Sequence, residues 1–116
     1  MPFATAALND MANGVATAAT WISAHTGNPS TTGANEVTGG SYAREQTTWG
    51  APSGGSRVGS QVAIDIAGGT TVTYWGLWTA QSGGTWKGGW QLSSPEAFGA
   101  DGILEHTPTI TATATN

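Results

Sequence analysis

Hydrophobic and polar residues alternate with period two along most of this chain, and only the N-terminal segment carries a helical spacing. Ala4, Leu8, Met11, Ala12 and Val15 follow the i, i+3, i+4, i+7 rule. They predict one short helix over residues 4–13, with Asn13-Gly14 as its stop. From there the signals are β. Residues 17–25 run into the breaker Thr26-Gly27-Asn28-Pro29, and residues 41–49 alternate Tyr42, Arg44, Gln46 and Thr48 against Ala43, Glu45, Thr47 and Trp49. The cleanest strand is 57–67, with Val58, Val62, Ile64 and Ile66 on one face and Arg57, Gln61 and Asp65 on the other. Residues 70–80 are apolar on both faces, as in a central strand. Across Ser82-Gly83-Gly84 they form a hairpin with residues 85–92, where Trp86 and Trp90 share a face around Gly88. Residues 93–103 read as an irregular connection. Residues 104–115 alternate again, and Pro108 argues for an edge there. These segments predict a mainly β protein, an antiparallel β-sandwich or small barrel with one short N-terminal helix. It is read as a single domain over residues 1–116, with an N-terminal segment 1–15 and a β domain 17–116 holding a long loop at 26–40.

That loop changes the picture most. Glycines, asparagines, threonines and a proline crowd it, with Glu36 inside and Arg44 and Glu45 on its exit. A loop of this length in a small domain usually carries function. Arg44 is expected to pair with Glu36 or Glu45 and hold the loop in shape.

Composition narrows the function further. Of 116 residues, three are basic and seven acidic, against eighteen Gly and nineteen Thr. Three cations cannot build a track for a phosphate backbone, so nucleic acid is not an expected partner. A surface of hydroxyls in place of charge suits a chain that sits against other protein or works outside the cell. With no cysteine, disulfides, thiolate metal sites and Cys nucleophiles are excluded. No apolar run reaches the ~20 residues of a membrane span, so no membrane partner is expected. The first ten residues lack the charged and apolar regions of a signal peptide.

Candidate chemistry is sparse. His25 or His106 could act as a base with Asp65, Asp101 or Glu105 behind it, but no Gly-x-Ser-x-Gly elbow selects a nucleophile. Glu36 and Glu45 flank the loop as a conceivable carboxyl pair, although pairing with Arg44 is the simpler reading. No spacing suits a metal, and the paired glycines lack the Lys-Ser/Thr of a phosphate loop. No catalytic residue, metal or cofactor is therefore expected. Six tryptophans exceed what so small a core requires. Trp75 and Trp78 are expected inside, while Trp86 and Trp90 could form an exposed strip for a protein or a glycan.

His25-Thr-Gly-Asn-Pro29, Thr32-Gly-Ala-Asn-Glu-Val-Thr-Gly-Gly-Ser-Tyr-Ala-Arg44, Thr48-Trp-Gly50 and Gly69-Thr-Thr-Val-Thr-Tyr-Trp-Gly-Leu-Trp78 resemble a family of small virion proteins of actinobacterial phages. Members are usually labelled tail-fibre or minor structural proteins, and no catalytic residues come with the resemblance. It implies a non-enzymatic virion protein. The first expectation is a capsid decoration protein on the outside of the head, because 116 residues leave little room for a fibre's attachment region, shaft and tip. It would bind the major capsid protein and copies of itself, as a trimer. The contacts would come from Phe3, Leu8, Asn28, Asn35, Glu36, Tyr42, Arg44, Trp86 and Trp90. The alternative is a minor tail or tail-fibre-associated protein touching the host surface or a glycan.

Overall fold

The computed structural model describes residues 13–111. The predicted helix over 4–13 lies outside them except for its last residue, as do Phe3 and Leu8. Residues 13–18 are themselves helical, so Asn13-Gly14 does not stop the helix. Packing outweighs the glycine here. Ala16 and Ala19 are buried, the Trp49 indole donates to the Ala19 carbonyl at 2.9 Å, and Arg57 donates to the Asn13 side chain at 3.2 Å.

Among the described residues eight strands follow: β1 (Trp21–His25), β2 (Glu45–Gln46), β3 (Ser56–Val58), β4 (Val62–Ile66), β5 (Thr70–Trp78), β6 (Trp86–Phe98), β7 (Gly102–His106) and β8 (Thr109–Thr111). All pairings are antiparallel. They give a four-stranded sheet in the order β2-β1-β5-β6 and two ribbons, β3-β8 and β4-β7. The mainly β, antiparallel expectation holds. The described residues form no closed barrel, and the arrangement fits a small sandwich.

The register assigns the faces. Trp21, Ser23 and His25 on β1 lie opposite Trp78, Gly76 and Tyr74 on β5, and Ile22 and Ala24 lie opposite Leu77 and Trp75. Paired residues share a face and neighbours alternate. Ile22, Ala24, Trp75 and Leu77 therefore point into the core, where Val62, Ile64, Ile66 and Leu104 of the β4-β7 ribbon meet them. The alternation of β4 is as predicted, with residues 62, 64 and 66 buried and 63 and 65 exposed.

Several predicted strands are shorter or divided. Residues 57–67 are not continuous: β3 pairs with β8, β4 pairs with β7, and Gly59 lies between. A Cβ at Gly59 would overlap Thr47 and Pro108, and its amide donates to the Pro108 carbonyl at 2.8 Å. The change of partner leaves Val58 half exposed. Pro108 is buried in the gap between β7 and β8 rather than within an edge strand. The predicted strand over 41–49 reduces to β2 and a bridge from Trp49 to Gly59, because Arg44 turns inward. Residues 93–98, expected as connection, extend β6 instead. Two bulges accommodate them: Lys87 has no partner between Leu77 and Trp78, and residues 92–95 bulge opposite Thr73.

Candidate contact surface around the long loop

The bulge at Lys87 decides where the tryptophans go. Trp90 pairs with Trp75 and Trp86 with Trp78, and positions 75 and 78 face opposite sides of β5. Trp86 and Trp90 therefore do not form one strip, as the spacing predicted, because the extra residue reverses the alternation between them. Trp90 stacks on Trp75 on the core side, with centroids 4.7 Å apart, and Trp75 touches His106 at 5.0 Å. Trp86 lies on the other face, edge-on to Trp78 at 5.2 Å and to His25 at 5.3 Å. Gly76 and Gly89 make its bed, since a Cβ on either would overlap the indole.

The long loop covers this second face. Gly33, at φ 78°, sits against the indoles of Trp78 and Trp86, and a Cβ there would lie 2.6 Å from Trp78. The loop backbone is bonded down: Val37 N to Ala24 O at 2.9 Å, Thr26 N to Asn35 O at 2.9 Å, and Gly33 and Ala34 N to Pro29 O at 3.0 and 2.9 Å. Asn28 caps its own turn by accepting from Ser30 N at 2.8 Å, and Asn35 donates to the Asn28 carbonyl at 3.0 Å. Both asparagines are at least partly exposed.

Beneath the loop a polar network is complete. Ser23 and His25 are fully buried. The Trp78 indole donates to Ser23 Oγ at 3.0 Å, which lies 2.7 Å from His25 Nε2, and His25 Nδ1 lies 2.8 Å from the Ala34 carbonyl. A carbonyl only accepts, so Nδ1 carries the proton and Nε2 accepts from Ser23. Burial drives the imidazole below its ordinary 6.5, while the Ala34 carbonyl and Glu36 pull upward. The Ser–His contact resembles half of a triad, but water cannot reach it and the third group is a backbone carbonyl. Asp65 and Glu105 are exposed on the far ribbon, and Asp101 accepts from Gly68 N at 2.8 Å. His106 lies on the core side, with burial alone lowering its pKa and, among the described residues, no partner for Nε2. None of the expected combinations is brought together.

Arg44 ties the loop exit to the β5–β6 turn. Its Nε and Nη2 each donate at 2.9 Å to the two oxygens of Glu36, and its Nη1 donates to the carbonyls of Ala80 and Gly83 at 3.0 and 2.8 Å. The guanidinium carbon sits 3.7 Å above the Trp78 ring. Glu36, not Glu45, is thus the partner. Tyr42 donates to Glu36 Oε2 at 2.7 Å and accepts from Ala24 N at 3.2 Å. Burial alone would raise the Glu36 pKa, but hydrogen bonds from Arg44 and then Tyr42 overcome it and hold the carboxyl below its ordinary value. Burial first, then the bond to Glu36, pushes the Tyr42 phenol well above its usual range. An open depression of about 490 Å3 lies beside this cluster, lined by Glu36, Tyr42, Arg44, Gln81, Ser82 and Gly83.

Glu36, Tyr42 and Arg44, singled out from the sequence, are brought together by the fold, while Trp86 and Trp90 are separated. The residues chosen from sequence omit Ser23, Gln81 and Ser82. Ser23-x-His25 within a strand was a readable signal, since residues two apart share a face. Gln81 and Ser82 join the cluster only through the hairpin turn.

The architecture is compatible with a small β-sandwich, and its Ser23–His25 pair is fully buried. The chain belongs to the family described as "Podophage GP4 fiber I protein gp80", whose model matches residues 3–113. It is therefore a phage structural protein and a component of the virion. No curated protein and no solved structure matches the chain.

Proposed function

We propose that this chain is a tail-fibre component that acts by contact, with the loop-covered face turned toward the host surface. The match to a fibre family over residues 3–113 carries the reading. The chain's low charge, its hydroxyl-rich exposed positions and a loop built from internal bonds suit a preformed recognition surface. Capsid decoration, the first expectation from sequence, has no such support. Antibody fragments raised against the purified chain and carried on gold particles locate it on virions. Label on the fibres is expected, and label spread over the head would overturn the assignment.

A further inference from the structure

The depression beside Arg44 has an unusual pair of unused polar positions. A guanidinium offers five N–H donors. Among the described residues Arg44 uses four of them: Nε and one on Nη2 toward Glu36, and both on Nη1 toward Ala80 and Gly83. The remaining Nη2 N–H has no partner. Beside it, Glu36 Oε1 accepts only from that same Nη2, whereas Oε2 already accepts from Arg44 and Tyr42. A free donor and a free acceptor thus stand next to each other on a largely buried, immobilised ion pair. The groups that answer them together are two neighbouring hydroxyls, one accepting from the guanidinium and the other donating to the carboxylate. A carboxylate or phosphate would meet Glu36, and an ammonium would meet Arg44. Neither charged class fits.

The surroundings suit the same chemistry. Gln81 and Ser82 add exposed amide and hydroxyl groups, and Tyr42 supplies an aromatic wall. The volume of about 490 Å3 falls within the roughly 300–1,000 Å3 of small-ligand sites. Trp78 beneath Arg44 and the two carbonyls on Nη1 fix the donor in advance, so little ordering is left to binding.

We propose that this depression binds a neutral, hydroxyl-rich sugar residue through Arg44 Nη2, Glu36 Oε1 and the Gln81-Ser82 turn. As a surface glycan of the host, the ligand rests on the fibre reading; the binding itself does not. Saturation-transfer NMR on the purified chain tests it with methyl α-D-mannopyranoside, methyl α-D-glucopyranoside, methyl β-D-galactopyranoside and D-glucuronate. Saturation transfer to at least one neutral glycoside is expected, stronger than to glucuronate. It should weaken at least tenfold in Ser82→Trp, which blocks the mouth from an exposed turn, and in Gln81→Ala. Circular dichroism of both variants should match the parent. Silence from every neutral glycoside, preference for glucuronate, or unchanged transfer in Ser82→Trp would overturn the proposal. Gold label on the head with sugar binding intact would sink only the fibre reading.

Discussion

Replacing Arg44 by Ala removes the tie between the long loop and the β5–β6 turn. The loss has three parts. Glu36 remains with its side chain only 22% exposed and no cation beside it, two turn carbonyls lose their donor, and the contact with Trp78 disappears. Breaking a buried pair by deleting one partner costs about 3–5 kcal/mol, whereas an exposed pair is worth about 0–1 kcal/mol. The Arg44 side chain is 9% exposed and Glu36 is open on one side, so the cost falls near the lower buried figure. We expect ~3 kcal/mol. For a chain of this size each kcal/mol moves the melting temperature by about 4 °C, so Tm should fall by roughly 12 °C. Arg44→Lys keeps the charge but not the fork and should recover less than half of this. Urea denaturation of Arg44→Ala, Glu36→Ala and the double variant reads the coupling directly, with an expected value of ~2 kcal/mol. A loss below about 1 kcal/mol for Arg44→Ala, or coupling near zero, would show that the pair behaves as an ordinary surface contact.

Acid should destabilise the fold through its two histidines. His25 and His106 both have folded pKa values below the ordinary 6.5, so the unfolded chain takes up their protons first. Their contribution is complete above pH 6.5 and is lost as the pH falls through the folded values, with each histidine giving at most about 1.4 kcal/mol per pH unit. His25→Gln should flatten the urea-derived stability profile below pH 6.5 without abolishing the slope that His106 supplies; an unchanged profile would refute the role given to His25. Two glycine replacements should move in opposite directions. Gly76→Ala pushes a methyl into the Trp86 ring and Ser23 Oγ and should cost at least about 1–3 kcal/mol. Gly14→Ala in the helical segment meets nothing and should stabilise by about 0.5–1 kcal/mol. Thermal melts of both variants check the pair, and a stabilised Gly76→Ala would contradict the packing of Trp86.

What was legible in the sequence was what depends on regular alternation. The buried face of β4 is written in Val62, Ile64 and Ile66, and the hairpin of β5 and β6 is announced by Ser82-Gly83-Gly84. The interruptions were not legible. A one-residue bulge at Lys87 leaves no mark in composition, yet it sends Trp86 and Trp90 to opposite faces. The break at Gly59 depends on Thr47 and Pro108 coming from distant segments, so no local pattern could show it. The site divides in the same way. The charges that fix the loop could be picked out because so few are present, but the choice of Glu36 over Glu45 follows from the bridge that seats Glu36 against His25. Ser82 reads from sequence only as part of the Ser82-Gly83-Gly84 turn and Gln81 carries no pattern at all; the fold places both beside Arg44.

The central claim is that the long loop is a fixed cover over the Trp78–Trp86 face, and amide hydrogen exchange tests it most directly. The amides of Thr26, Gly33, Ala34 and Val37 are bonded within the loop or to β1, so they should exchange far more slowly than free peptide and lose that protection selectively in Arg44→Ala, while β5 amides keep theirs. Exchange of these four amides at free-peptide rates in the parent chain would contradict it.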